Sequence, residues 1–273
     1  MTIIRRLDHP IVCVRDLRDW VPLFDRVLQL RPDRSRVGDE WGFSNAELAI
    51  GDGFLGVVEP AGEDSQLSRF LAKRGEGFYG LAVDVGDLAP IAAFLQDRGV
   101  RYREATRDGE VSLLWLPPNE THGVVYQLTP GMPTPQGANP NLRGVSEVVV
   151  AVESVDRAVE TYRKVFDFDV TEEVDSAPLA YLGARLPIPG AALADALVLA
   201  EPTDADGPVA RHLAARGEGM FEFAIPVDDL DVERRRLDDA AVPYELADDR
   251  LWVDPDVLRG VRIELRAAAL PVS

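Results

Sequence analysis

Two glutamates stand inside apolar segments of strand length. Glu147 lies in the segment GVSEVVVAV, and Glu222 lies in MFEFAIPV, where Phe221 and Phe223 flank it. A carboxylate inside a buried strand is costly unless it is paired, protonated or bound to a cation. Both glutamates are therefore candidates for metal binding or for proton transfer, and we predict catalytic roles for them.

A third acidic candidate, Glu264, lies in the segment VRIELRA. It alternates with Arg262 and Arg266, so the three side chains share one face of a strand. The pattern fits a further carboxylate of a metal or catalytic site, and it also fits a ladder of opposite charges on one strand face. Both interpretations are open at this point.

Histidine and amide side chains add further candidates. His9 precedes an apolar strand pattern in LDHPIVCV and could ligate a metal. His122, in ETHGVV, lies in a polar loop before a strand and is better placed for the rim of a site than for a ligand position. Gln127 can donate one oxygen, but it brings no charge with which to hold a metal.

The chain contains one phrase twice, FLAKRGEGFYG at 70–80 and HLAARGEGMFE at 212–222. Gly75 and Gly217 match at a constant spacing, and the segments LWLPPNETHGVVYQL and LWVDPDVLRGVRIEL form a second matched pair. We therefore predict two homologous halves of about 135 residues each. The glycines of both RGEG segments are interpreted as turns from a short helix into the next strand.

Each half divides again, because four apolar segments of strand length each precede an amphipathic helix pattern. The predicted helix N-caps are Asp16, Asp87, Ser154 and Asp229. Short strand patterns follow each helix, so the unit is a strand, a helix and several strands, repeated four times. We predict an N-terminal domain over residues 1–130, a Pro- and Gly-rich linker over 131–141 and a C-terminal domain over 142–273.

Composition limits the partners and the location. A net charge of −18 excludes a nucleic-acid partner, because nothing offsets repulsion from phosphates. The one cysteine, Cys13, is predicted to be a small core residue and suits a reducing cytoplasm. The sequence shows neither a membrane-spanning apolar run nor a signal-peptide pattern. We expect a soluble cytoplasmic protein, monomeric or homodimeric, that acts on a small molecule.

The segments LDHPIVCVRDL, GVVEPAGEDSQLSRFLAKRGEGFYGLAVDVGDL and THGVVYQL resemble the vicinal oxygen chelate superfamily. That group includes glyoxalase I, methylmalonyl-CoA epimerase, extradiol dioxygenases and bleomycin-resistance proteins, and the middle segment is most similar to methylmalonyl-CoA epimerase. The resemblance covers nearly the whole chain except the linker. It implies an α+β fold in which two βαβββ modules form one half-open barrel around a divalent metal, so four modules imply two barrels.

The resemblance also implies metal-ligand positions on the first and last strand of each module. On the first strands these positions are His9, Gly80, Glu147 and Glu222. On the last strands they fall near Gly56, at Gln127, near Val198 and at Glu264. The implied metal ligands are His9, Glu147, Glu222 and Glu264. The metal would be Mg²⁺, Mn²⁺, Fe²⁺ or Zn²⁺, and a metal-free site is an open alternative.

The pairing of the modules decides which of these residues meet. If neighbouring modules pair, Glu147, Glu222 and Glu264 form an all-carboxylate cluster that prefers a hard cation. Without a metal, three close carboxylates cannot all stay ionised, so at least one pKa would rise. If module one pairs with module four, His9 joins Glu222 and Glu264 in a site with open positions for a substrate. Adjacent pairing is the simpler arrangement.

Three functions are consistent with these residues. The first is a lyase or isomerase that forms a metal-stabilised enediolate of a small oxygen-rich substrate, with one functional and one degenerate site. The second is a metal-free small-molecule binding or resistance protein, with Trp41, Trp115 and Trp252 as candidate aromatic walls. The third is a ring-cleaving dioxygenase, which is less favoured because neither pairing supplies two histidines.

Overall fold

The computed structural model describes residues 2–36, 42–135, 137–168 and 171–268. Within these residues, a unit of one strand, one helix and three strands occurs four times along the chain. The four copies are numbered here as modules one to four. Trp41, a candidate aromatic wall, lies outside the described residues.

The first two modules occupy the N-terminal part of the chain. Module one consists of β1 (Arg6–Cys13), α1 (Leu17–Leu28), β2 (Pro32–Arg36), β3 (Phe43–Ile50) and β4 (Gly53–Pro60). A short helix, α2 (Gln66–Arg74), connects it to the next module. Module two consists of β5 (Gly77–Asp84), α3 (Leu88–Asp97), β6 (Arg103–Arg107), β7 (Glu110–Leu116) and β8 (Val125–Thr129).

The other two modules repeat this plan. Module three consists of β9 (Glu147–Ala151), α4 (Val155–Phe166), β10 (Glu172–Ser176), β11 (Tyr181–Pro187) and β12 (Ala196–Pro202). The connecting helix is α5 (Pro208–Arg216). Module four consists of β13 (Gly219–Val227), α6 (Leu230–Asp239), β14 (Tyr244–Ala247), β15 (Arg250–Val253) and β16 (Arg262–Ala267).

The strands form two eight-stranded half-barrel sheets of identical plan. The first has the order β2-β3-β4-β1-β5-β8-β7-β6, and the second has the order β10-β11-β12-β9-β13-β16-β15-β14. Modules one and two thus supply the first sheet and modules three and four supply the second, which is the adjacent arrangement. In each module the first and last strands pair in parallel, as β13 does with β16. The predicted α+β fold of four βαβββ modules is confirmed.

The helices begin at the predicted caps. Asp16, Asp87 and Ser154 each accept a hydrogen bond from a backbone N–H of the following turn, and Asp229 accepts two. These bonds satisfy N–H groups that lack a partner within the helix. Cys13 is fully buried on β1, as predicted for a small core residue. Within the described residues, no helix is long and apolar enough to cross a membrane.

Residue contacts divide the chain differently from the sheets, into two compact units, and the bounds of these units also differ from those of the predicted domains. The first unit comprises Met1–Asp8, Tyr79–Pro133 and Glu147–Phe221. The second unit comprises His9–Phe78, Thr134–Ser146 and Glu222–Ser273. Among the candidate site residues, Glu147 belongs to the first unit, whereas His9, Glu222 and Glu264 belong to the second. The domain boundaries at 130 and 142 stay a prediction.

Candidate functional site

Strands β13 and β16 place two predicted site residues on one face of the second sheet. Glu222 on β13 lies directly opposite Arg262 on β16, and Ala224 lies opposite Glu264. Alternate residues of a strand project to the same side. Glu222, Arg262 and Glu264 therefore share a face, and Arg266 follows them on it.

Strand β15 extends this face. Trp252 lies opposite Glu264, and Arg250 lies opposite Arg266. We call these six residues the charged face of module four; they are Glu222, Arg250, Trp252, Arg262, Glu264 and Arg266.

An arginine lies beside each carboxylate of the charged face. Glu222 Oε2 lies 3.6 Å from Arg262 Nε. Glu264 Oε1 accepts a 2.5 Å hydrogen bond from Arg266 Nε, and its Oε2 lies 3.6 Å from Arg250 Nη1. Both glutamates are only 1% exposed, whereas Arg250 is about half exposed. The ladder of opposite charges, one of the two interpretations of this strand, is the arrangement observed.

The surroundings of Glu222 change its protonation. Burial raises the pKa of Glu222 to about 8, and the neighbouring charge of Glu264 acts in the same direction. The guanidinium groups of Arg262 and Arg266 lower that pKa, but they do not offset the loss of water. A rise in pKa is what the sequence predicts for a carboxylate of this cluster without a metal.

Module two shows that the fold does not require these charges. Gly80 lies opposite Val125, and Trp115 lies opposite Gln127, in the register that Glu222 and Trp252 have in module four. The positions equivalent to Glu222, Arg262, Glu264 and Arg266 are Gly80, Val125, Gln127 and Thr129. Since module two keeps the register without the charges, the strand register does not depend on them.

The backbone itself excludes a ligand at Gly80. A Cβ atom at this position would lie 2.4 Å from the carbonyl oxygen of Val125. A histidine, which the superfamily resemblance implies at this position, would need a shift of the neighbouring strand.

Glu147 of module three is also paired with arginine. Arg185 Nε lies 3.3 Å from Glu147 Oε2, and Arg185 Nη1 donates a 2.9 Å hydrogen bond to Glu172. The position near Val198 on the last strand of the module is buried and apolar. A ligand or catalytic role for Glu147 stays a prediction, and it forms an ion pair in which its own side chain is 12% exposed.

His9 of module one packs over a glycine. Its Cδ2 lies 3.1 Å from the position of a Cβ atom on Gly56, and its ring meets Phe54 edge to face, with the centroids 6.3 Å apart. The side chain is largely buried. The absence of a side chain at Gly56 makes room for the imidazole, so His9 occupies the space that a ligand from the last strand would use.

These donor sets do not fit the divalent metal that the resemblance implies. In the part of the chain that the structure describes, no group of three or more His, Cys, Asp and Glu side chains could hold a metal ion. At the charged face, the arginines that surround the two carboxylates would repel a divalent cation. The ligand roles of His9, Glu147, Glu222 and Glu264 stay predictions that the arrangement does not support.

The repeated RGEG phrase has a structural role that sequence reasoning missed. Glu76 accepts a 2.8 Å hydrogen bond from the backbone N–H of Arg15, and Glu218 accepts a 2.9 Å bond from that of Glu153. Both donors lie in the turn between the first strand and the helix of a module. The repetition of the glutamate was the sequence signal for this role, because two copies of one fold need the same hydrogen bond to the turn in both.

Family comparisons agree with this architecture. A family model described as a glyoxalase-like domain matches residues 7–166, which is more than half of the chain. A second model, described as the glyoxalase/bleomycin resistance protein/dioxygenase superfamily, matches residues 144–251. The chain belongs to the glyoxalase, or vicinal oxygen chelate, superfamily. The predicted resemblance is confirmed, and no curated protein sequence matches the chain.

Two solved structures match nearly the whole length of this chain. A triple mutant of 4-hydroxymandelate synthase from Streptomyces coelicolor is 17% identical, with a TM-score of 0.80 over 100% of this chain and 95% of that chain. A xylose isomerase-like TIM barrel/4-hydroxyphenylpyruvate dioxygenase fusion protein is 15% identical, with a TM-score of 0.68 over 99% of this chain and 50% of that chain. At these identities the two likenesses show the fold alone.

A shorter match covers about half of the chain. Streptomyces coelicolor methylmalonyl-CoA epimerase, as a variant in complex with 2-nitronate-propionyl-CoA, is 31% identical over 46% of this chain and 96% of that chain, with a TM-score of 0.43.

Proposed function

We propose that the charged face of module four binds a small organic anion, and that arginine side chains rather than a metal make the contact. The observation that carries the proposal is the buried Glu222 beside Arg262, with Arg266 and Arg250 around the equally buried Glu264. The proposal is the metal-free form of the small-molecule site that the sequence predicts.

The charge balance of the face favours an anion. Arg250, Arg262 and Arg266 outnumber the two carboxylates, in a chain whose net charge is −18. A guanidinium presents five N–H donors in a planar fork that matches a carboxylate. The contact of Arg250 with Glu264 uses one guanidinium nitrogen, and the Arg250 side chain is about half exposed, so it can reach a ligand.

Trp252 supports an organic rather than an inorganic anion. Its indole is 5% exposed and lies on the same face as Glu264. An aromatic side chain beside guanidinium groups provides an apolar wall for the hydrocarbon part of a ligand. The combination suits a carboxylate that carries a small aliphatic or aromatic group.

Calorimetric titration of the full chain tests this proposal. Acetate, malonate and benzoate are compared with acetamide, malonamide and benzamide, which have the same shapes without the charge. We expect the carboxylates to bind and the amides not to bind, and Arg250→Met to weaken binding at least tenfold. Addition of EDTA leaves the affinity unchanged.

Arg103→Met is the control, because Arg103 is an exposed arginine on β6 of module two and does not belong to the charged face. Equal binding of carboxylates and amides would overturn the proposal. Equal losses in Arg250→Met and Arg103→Met would overturn it as well.

Proton transfer next to a carbonyl, as in a lyase or isomerase, is a second function that one observation favours. The pKa of Glu222 is raised to about 8, so its acid and base forms are both accessible near neutral pH. Glu222 would remove a proton α to a carbonyl, Arg262 would stabilise the negative charge on the enolate oxygen, and the proton would return to carbon. No histidine belongs to the charged face, so the dioxygenase alternative finds no support there.

Deuterium uptake from D₂O into the α position of 2-oxobutyrate, followed by NMR, measures this activity. We expect uptake that rises as the pH passes about 8 and that Glu222→Gln abolishes, because the base form of the carboxylate does the work. Glu245→Gln is the control, since Glu245 is exposed and lies opposite Trp252. Uptake that persists in Glu222→Gln would exclude Glu222 as the base.

A further inference from the structure

Module one carries a second group of polar residues on one face of its sheet. Glu47 on β3 lies opposite Gly56 on β4 and opposite Arg34 on β2. Asn45 is two residues before Glu47, and Phe54 is two residues before Gly56. Residues two apart on a strand share a face, so Asn45, Glu47 and Phe54 project to the same side as the space above Gly56.

Two oxygen atoms of this group are buried without a hydrogen-bond partner. Asn45 Nδ2 donates a 3.3 Å hydrogen bond to Glu47 Oε1. Glu47 Oε2 and Asn45 Oδ1 are both buried and accept no hydrogen bond. Glu47 is only 8% exposed, so bulk water does not replace the missing donors. Buried acceptors without a partner are rare and destabilising, and a pair of them on adjacent side chains indicates a missing donor.

The missing donor is expected to be positively charged. Among the described residues Glu47 forms no ion pair, although Arg34 lies opposite it. Arg34 instead lies 3.3 Å from Asp33 and places its guanidinium 5.5 Å from the centre of the Phe54 ring. A buried carboxylate without a cation is costly. A ligand that brings a positive charge to Glu47 would remove that cost.

We infer that this face of module one binds the ammonium group of a small primary amine between Glu47 and Asn45. A primary ammonium has three N–H donors, and Glu47 Oε2 and Asn45 Oδ1 accept two of them. The Phe54 ring and the edge of His9 lie on the same face, and an aromatic ring attracts an alkylammonium.

This site is independent of the charged face of module four and has the opposite preference. The charged face offers guanidinium donors to an anion, whereas Glu47 and Asn45 offer acceptors to a cation. The two proposals can therefore fail separately. A molecule that carries both an ammonium and a carboxylate group is not required to bind at both sites.

Titration of the full chain with methylammonium tests the inference, by calorimetry and by the shift in melting temperature. Tetramethylammonium, K⁺ and Mg²⁺ serve as comparison cations, since they are positively charged but have no N–H groups. We expect methylammonium to bind and to raise the melting temperature, and the comparison cations to have no effect. Glu47→Gln weakens methylammonium binding at least tenfold, because the amide removes the charge and one acceptor.

Two further variants make the result specific. Asn45→Ala removes the second acceptor and is expected to weaken binding as well, and it provides the measurement if Glu47→Gln does not fold. Glu63→Gln is the control, since Glu63 is an exposed carboxylate of the same module region. Binding of tetramethylammonium or K⁺ as strong as that of methylammonium would overturn the inference. So would unchanged methylammonium binding in Glu47→Gln, or no binding by the unmodified chain.

Discussion

The imidazole Nδ1 of His122 lies 2.9 Å from a carboxylate oxygen of Glu218, and its Nε2 lies 3.1 Å from the hydroxyl of Thr161. The equivalent contact joins the two halves in the opposite direction, because Arg259 of the second half donates a 3.3 Å hydrogen bond to Glu76 of the first. His122 and Arg259 occupy matching positions of the two segments LWLPPNETHGVVYQL and LWVDPDVLRGVRIEL. The same contact to the glutamate of an RGEG segment is therefore made once by histidine and once by arginine.

Loss of the histidine should weaken the fold, whereas exchange for arginine should not. His122→Ala removes both contacts and leaves a partly buried carboxylate oxygen of Glu218 without its donor, so we expect a loss of ~1–2 kcal/mol in the free energy of unfolding. His122→Arg restores the donor found at Arg259 and should recover most of that loss. Urea unfolding measures the three proteins, and an alanine variant as stable as the parent would contradict the assigned role.

The stability of the protein should depend on the protonation of Glu222. Burial raises the pKa of Glu222 from 4.5 to about 8. Between these values the folded chain keeps a proton that the unfolded chain releases, so the free energy of unfolding falls as the pH rises, by at most ~1.4 kcal/mol per pH unit. The glutamine side chain of Glu222→Gln is neutral at every pH, so this variant should lack the dependence of stability on pH.

Urea unfolding from about pH 5 to about pH 9 checks this expectation. The free energy of unfolding of the glutamine variant should increase relative to that of the parent as the pH rises. The difference should level off above about pH 8, where both the folded and the unfolded parent have lost the proton. Parallel stability curves for the two proteins would show that Glu222 does not titrate in this range. Glu245→Gln, at an exposed position opposite Trp252, should follow the parent.

Metal removal should leave the protein unchanged. Arginines surround the two carboxylates of the charged face, and the raised pKa of Glu222 favours its neutral form, so no metal is needed to offset their charge. We expect purified protein to contain much less than one equivalent of Mg, Mn, Fe or Zn, and EDTA to leave the melting temperature unaltered. A stoichiometric metal together with a lower melting temperature after EDTA would restore the ligand roles predicted for His9, Glu222 and Glu264.

Introduction of a side chain at Gly80 should destabilise module two. The Cβ of Gly80→Ala would lie 2.4 Å from the carbonyl oxygen of Val125, in the middle of a strand pair, so we expect a loss of ~1–3 kcal/mol. Gly62→Ala is the control, because nothing lies within 4 Å of the added atom there. Thermal unfolding compares the two variants, and equal melting temperatures would show that the strands adapt to the added methyl group.

Much of the architecture follows from local patterns in the sequence. The caps at Asp16, Asp87, Ser154 and Asp229, the four strand–helix units and the internal repeat all depend on residues close together in the chain. The period of two along a strand also places Arg262, Glu264 and Arg266 on one face without knowledge of the neighbouring strand. These features were predictable because capping and alternation are local properties of the backbone.

The partners of the site residues were decided only by the tertiary structure. Which strand lies beside β13, and in which register, determines that Glu222 faces Arg262 and that Arg250 reaches Glu264. Arg185 beside Glu147 and the buried Glu47 had no signal in the local pattern. Alternation states which residues share a face of one strand, but the register across strands is set by pairing between distant segments. The sequence by itself therefore identified the carboxylates, and only the folded sheet showed that arginines lie beside them.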